Sequence, residues 1–253
     1  MLKRIAVIGG KEAKASEELA KAVKGKEIEL VKVASKAKIP PAVVVAVADD
    51  AKASLTVSIA DALATRQEDL LYLLATAIDS REELAPGSSL RVKEHATRFA
   101  KALKLSVKDQ ATLERGALLR DIGKLRIPNR ILLKYDLLTH DEWETIYKHS
   151  VTGAEVVRDT PAIADIEDIV HYHHERWDGN GYPNGLEGDE IPYLAQAAHI
   201  LDVYCAMTSV RHYRKEVHSH ESVLDYLQSE SGAHFHPELL KVFIDAGVGQ
   251  VGG

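Results

Sequence analysis

From about residue 61 to residue 245 apolar side chains recur every three or four residues, the interval that aligns them along one face of a helix. Leu63, Leu70, Leu74, Ala77 and Ile78 follow this spacing over 61–79, and Val92, Ala96, Phe99 and Leu103 follow it over about 90–103. A third helix is expected over 109–122, ending in ALLRDIGK with Gly123 as its stop. Thr139, with Glu142 three residues on, forms a capping box for a helix carrying Trp143, Ile146 and His149. Thr160-Pro161 predicts another helix with proline at its first position. Its stripe runs through Ile163, Ile166, Ile169 and Val170, and seven residues beyond Ile166 it reaches His173. A helix over 194–209 places Asp202, Cys205 and Ser209 on one side, and short helices over 219–229 and 237–245 close the chain. Faces of this kind must be buried against one another, so most of the chain is expected to be a helical domain.

The first 50 residues read differently. Residues 4–8 have the composition of a strand ended by Gly9-Gly10, and 16–24 that of a helix. EIELVKV (27–33) alternates, and Pro40-Pro41 introduces the β-branched run Ala42–Ala48. The pattern is a β-α-β-β or β-α-β-(α)-β unit, a truncated receiver-like α/β module too short for a whole doubly wound domain. The acidic cluster a receiver carries after its first strand is absent, so phosphoacceptor function is not expected. Docking or dimerisation, with a second copy or a signalling partner, is. The expected organisation is therefore mostly α: module 1–52, then a helical domain 53–253 whose first part, 53–85, is a connecting helix broken at Pro86-Gly87-Ser88-Ser89.

Charge narrows the partners. The formal net charge is −6, with +5 in residues 1–40 and −11 in the rest. The basic end reads as a solvated lysine-rich face, and the acidic remainder argues against binding a nucleic-acid polymer. The longest apolar run, Ala42–Ala48, falls far short of the roughly 20 residues of a membrane span. MLKRIAVIGG lacks the apolar core of a secretory signal, and Cys205 is the single cysteine, which excludes an intrachain disulfide. A cytoplasmic location is expected.

The stretch HYHHERWDGNGYPNGL, His171 to Leu186, sets His173 and His174 at the end of an apolar stripe, just before a glycine-rich loop. Imidazole nitrogens bind transition metals, and a loop of small residues lets a ligand approach the backbone. His95, Asp121, His149 and Asp202 add further metal-competent side chains on helix faces; His95 lies about 60° from Val92, on the flank of its stripe. Any one of these fits a structural residue. Their joint occurrence on inward-facing positions points to a metal centre.

The blocks EHATRFAKAL, GALLRDIGKLRIPNRILLK, LTHDEWETIYKHSVTGAEVV, HHERWDGNGYPNGLEGDEIP, ILDVYCAMTSVRHYRK and GAHFHPELLKVF occur in the order and spacing of the HD-GYP subfamily of the HD phosphohydrolase superfamily, which the chain resembles over residues 66–245. That resemblance implies an all-helical fold, a centre of two or three iron or manganese ions, of which one or two are expected here (other divalent metals being compatible), and hydrolysis of cyclic di-GMP or a related dinucleotide. It implies metal ligands at His95, Asp121, His149, His173, His174 and Asp202, with Asp121 bridging. Catalytic roles fall to Asp121 and Lys124, the latter on the scissile phosphate. Gly181, Tyr182 and Pro183 would lie beside the substrate, and Arg211 and Arg214 would hold its phosphates. The chemistry is coherent, because metal ions and lysine neutralise the charge that develops on a phosphoryl group.

Three positions depart from the pattern. Arg120 stands where the histidine of the HD doublet belongs, and a guanidinium has no lone pair for a metal. It is expected to pair with Asp121 or Asp202 and to weaken or abolish the core site. Arg91 replaces a glutamate, so a third metal is not expected, and Cys205 replaces an aspartate. Asp121, His149, His173 and His174 remain, enough for one ion. Three readings stay open at this point: a phosphodiesterase with a reduced metal centre, an inactive HD-GYP domain that binds the dinucleotide or a protein, or a helical scaffold that has merely kept these residues.

Overall fold

A computed structural model describes residues 3–8, 28–33, 43–45, 67–82, 84, 87–209 and 217–250; the helix expected over 16–24, Arg211 and Arg214 lie outside them. The chain divides into two units, Met1–Leu70 and Leu71–Gly253.

In the first unit, β1 (Lys3–Ile8), β2 (Ile28–Val33) and β3 (Val43–Val45) form a sheet of order β2-β1-β3. β1 and β2 are parallel, with Ile5 opposite Leu30, whereas β3 runs antiparallel to β1, with Val7 opposite Val44. The sheet is therefore mixed, unlike the parallel sheet of a doubly wound domain.

The second unit is mostly helical. The helical elements in order are α1 (Gln67–Arg81), whose residues from Leu71 on belong to this unit, α2 (Ser88–Ala102), α3 (Val107–Leu119), a 3-10 turn Ile122–Arg126, α4 (Asn129–Leu132), α5 (His140–Arg158), a 3-10 turn Ala164–Ile166, α6 (Glu167–Tyr172), a 3-10 turn Gly188–Glu190, α7 (Tyr193–Met207), α8 (His220–Ser229) and α9 (Pro237–Asp245). Gly87, at φ +83°, turns the chain into α2. Asp79 of α1 accepts the Ser89 N–H at 2.9 Å and its hydroxyl at 2.6 Å, satisfying the start of α2. The capping box of α5 forms as its spacing predicts: Glu142 accepts the Thr139 N–H at 2.8 Å, and Thr139 Oγ1 accepts the Glu142 N–H at 3.3 Å.

Two boundaries differ from the sequence reading. The first is α3, which stops at Leu119, so that Asp121 lies outside it at φ −91°, ψ 9°, and Gly123 sits inside a 3-10 turn. The second is the segment after Thr160-Pro161, which starts no helix; α6 begins at Glu167. There Ile163 and Ile166 are buried, and Asp165 accepts the Thr112 hydroxyl at 2.7 Å and pairs with Arg115. These tertiary contacts hold a 3-10 turn where the local pattern favours a helix.

Two apolar clusters make the core. One joins α2, α3, α7, α8 and α9 through Phe99, Leu113, Leu201, Leu227, Leu240 and Phe243, with Phe99 and Phe243 edge to face at 5.3 Å. The other joins Leu71, Ala75 and Ile78 of α1 to Leu119, Ile122, Val157, Ile166 and Val170. This second cluster fixes the site: Leu119 and Ile122 flank Asp121, Val157 lies two turns beyond His149, and Val170 is one turn before His173. Among the described residues no helix is long and apolar enough to cross a membrane.

Candidate metal centre

Asp121, His149, His173 and His174 converge, each offering a ligand atom, and those atoms all lie within 4.8 Å of one another. Close backbone contact makes this possible. A Cβ on Gly123 would fall 1.8 Å from the His149 carbonyl oxygen, and one on Gly153 would fall 3.0 Å from the Gly123 nitrogen. Two glycines thus let α5 lie directly against the 122–126 turn and bring His149 to Asp121.

Hydrogen bonds to the far side of two rings set their tautomers. His149 Nδ1 lies 2.7 Å from the Ile146 carbonyl, and His173 Nδ1 lies 2.9 Å from that of Val170. A ring nitrogen facing a carbonyl oxygen must be the protonated one, so both Nε2 atoms present lone pairs. Those two Nε2 atoms are 3.4 Å apart, and His149 Nε2 is 3.6 Å from Asp121 Oδ1. Two lone pairs facing each other repel unless a cation lies between them. Donors bound to one ion at about 2.1 Å in tetrahedral geometry stand about 3.4 Å apart, so the spacing fits a metal. Carbonyl-anchored imidazoles plus one carboxylate suit iron, manganese or zinc.

Electrostatics keep the donors in their binding forms. Burial, reinforced by His149, pushes the His173 imidazole down to about 3. Burial likewise lowers His149, and burial with the two neighbouring rings holds His174 well below the usual histidine range. All three are neutral at pH 7. Burial pushes the Asp121 carboxyl upward, but Lys124 and Arg120 outweigh it and hold it well below the usual carboxylate range.

The remaining residues expected at the site divide. Lys124 Nζ lies 3.0 Å from Asp121 Oδ1 and 3.0 Å from Glu82 Oε2, so it borders the cluster. Asp202 is held by Arg120, whose Nε donates to Asp202 Oδ1 at 2.7 Å. His95 is not brought into the group. Its Nδ1 donates to the Val248 carbonyl at 2.9 Å, and its ring meets Tyr204 edge-on at 5.5 Å. It lines a separate cavity of about 460 Å³ with Arg91, His218 and His220. Arg91 is engaged with the carbonyls of Cys205 and Thr208 and the Ser209 hydroxyl. Cys205 itself is buried, in the first core cluster.

The loop of Gly181, Tyr182 and Pro183 lies against the histidines. The Tyr182 N–H donates to the His174 carbonyl at 3.2 Å, and the Tyr182 ring stacks on His174 at 4.6 Å and 24°. A Cβ on Gly181 would lie 2.3 Å from the Arg176 nitrogen, which explains glycine there.

Four contributors escaped the sequence reading. Glu175, fully buried, accepts the N–H groups of Asn184 at 2.7 Å and Leu186 at 3.1 Å, tying the loop to the histidine pair. His199 Nδ1 donates to the His173 carbonyl at 2.9 Å. Tyr147 lies 4.3 Å from the Tyr182 ring, and Trp143 lies 5.6 Å from Tyr147; both are partly exposed. The only signal in the sequence was position: an acid directly after the His-His step, and aromatics two and six residues before His149.

Residues 72–239 match the HD domain family. A 3'3'-cGAMP-specific phosphodiesterase of Vibrio cholerae serotype O1 is 32% identical over 180 residues, 70% of this chain and 34% of the relative. A cyclic di-GMP phosphodiesterase of Thermotoga maritima is 32% identical over 186 residues, 71% of this chain and 50% of the relative. The crystal structure of a cyclic GMP-AMP-specific phosphodiesterase of V. cholerae has the same fold, with a TM-score of 0.56 at 21% identity, covering 70% of this chain and 47% of the other. The chain spans between a third and a half of the length of these curated relatives.

Proposed function

The chain belongs to the HD-domain family, and from that premise we propose that it is a metal-dependent phosphodiesterase that opens a cyclic dinucleotide, cyclic di-GMP or a guanine-containing relative. The observation that carries this reading is the convergence of three neutral imidazoles and the Asp121 carboxylate, with Lys124 beside them.

Asp121, His149, His173 and His174 would hold the ion, iron or manganese. Bound there, the metal supplies a Lewis acid and lowers the pKa of water toward neutrality. Lys124 sits where its ammonium can meet a phosphodiester oxygen bound at the cluster. Ile146 and Val170 aim the imidazoles through their carbonyls. Glu175 fixes the Gly181–Pro183 loop, whose Tyr182 ring walls the site, and Tyr147 and Trp143 continue that wall toward solvent, where a base can stack. Arg211 and Arg214 follow α7 in sequence and are assigned to the dinucleotide phosphates. The module of residues 1–52 is assigned to docking or dimerisation, ahead of a helical domain 53–253, and the location to the cytoplasm.

The test is hydrolysis. The protein reconstituted anaerobically with ferrous iron or manganese is incubated with cyclic di-GMP and with cyclic GMP-AMP, and the products are separated by chromatography. Linear dinucleotide or mononucleotide, absent without metal and abolished by Asp121→Ala, is the expected result. Intact substrate with metal demonstrably bound would replace the enzyme reading with that of a binding module.

A further inference from the structure

Asp121 uses its two oxygens in different directions. Oδ1 faces the imidazole side, 3.6 Å from His149 Nε2, while Oδ2 lies 3.1 Å from Arg120 Nη2. The same guanidinium donates from Nε to Asp202 Oδ1 at 2.7 Å, and from Nη1 to the Ala117 carbonyl at 2.8 Å. Two carboxylates from separate segments therefore converge on one point, and one of them also belongs to the neighbouring metal cluster. Oxygens so arranged suit a second divalent cation bridged to the first. The guanidinium fills that point. It is buried, it keeps its charge at every accessible pH, and its planar fork is fixed at three nitrogens.

We infer that Arg120 is the second cation of this centre: the protein takes a single metal ion at Asp121, His149, His173 and His174, and the Arg120 guanidinium supplies, as a permanent part of the fold, the positive charge a second ion would bring. This rests on the metal-dependent reading above. A built-in cation differs from an ion in three ways. It carries one charge instead of two, it cannot be lost to a chelator, and it accepts no ligand. Arg120 also positions Asp121, because holding Oδ2 leaves Oδ1 turned toward His149.

Metal counting and manganese magnetic resonance on the whole chain test this without any turnover. After loading with Mn(II) and desalting, the protein should hold about one ion per chain and show the six-line spectrum of an isolated ion. Arg120→His, which exchanges the guanidinium for a ring with a lone pair, should take up a second ion and show the broadened spectrum of two coupled ions. Arg120→Gln, which removes the charge while keeping a hydrogen-bonding head, gives the same comparison should the histidine variant not fold. Two coupled ions in the unaltered protein would overturn the inference. So would a single isolated ion in a folded Arg120→His or, where that variant does not fold, in Arg120→Gln. Metal content in the unaltered protein no higher than in His173→Ala would instead remove the metal-dependent reading, and the inference with it.

Discussion

Replacing Gly123 by alanine should disable the metal centre from behind. The added Cβ would sit 1.8 Å from the His149 carbonyl oxygen, 2.6 Å from the Gly153 nitrogen and 2.8 Å from the His149 carbonyl carbon. All three are backbone atoms of α5, so no side chain can swing aside. A carbon needs at least about 3.0 Å, so α5 and the 122–126 turn must part by about 1.2 Å. His149 rides on α5 and Asp121 directly precedes the turn, so their 3.6 Å separation opens by a similar amount. Metal bonds tolerate errors of only about 0.2 Å, and displaced supporting contacts typically cost 10–100-fold in affinity. Overpacking adds about 1–3 kcal/mol of destabilisation, or roughly 3–10 °C in Tm for a unit of this size. Manganese affinity by competition with a chelating dye, and Tm by calorimetry on the metal-free protein, measure the two effects separately. A Gly123→Ala protein with unchanged affinity and unchanged Tm would refute the claim that this glycine contact sets the His149–Asp121 distance.

Two further outcomes are expected. Glu175→Gln leaves one of the two loop N–H groups without its carboxylate acceptor, at about 1.5–3 kcal/mol, so the 179–186 loop should be cut faster by protease while metal content stays the same; equal cleavage rates would refute the tether. The metal-free protein should lose stability as pH falls below about 6.5. Burial lowers His149, His173 and His199 in the fold, so the unfolded chain takes up protons there while the folded chain does not, down to about 3 for His173. Each such group adds up to about 1.4 kcal/mol per pH unit to the slope, and a flat unfolding free energy between pH 6.5 and 5 would contradict their buried neutral state.

Much of the fold could be read from local pattern. The capping box at Thr139 and Glu142 bounds α5 because both of its hydrogen bonds are made within four residues. Helices α2, α7, α8 and α9 lie within a residue or two of their expected limits, because each buries a stripe that the 3.6-residue period defines. The region around residues 160–166 was not legible, since its turn depends on Asp165 meeting Thr112 and Arg115 of α3.

For the site, the sequence determined which donors exist and which one is missing: His149, His173, His174 and Asp121 are chemically fit to bind a metal, and Arg120 is not. Periodicity put all of them near buried faces but could not measure distances across the core. Only the tertiary structure decided that four donors meet within 4.8 Å, that His95 turns away to the Val248 carbonyl, and that Arg120 reaches both Asp121 and Asp202. Ligand type is a property of a side chain and survives in the sequence. Convergence is a property of packing: Gly123, Gly153 and the second apolar cluster set it, through contacts between segments far apart in the chain.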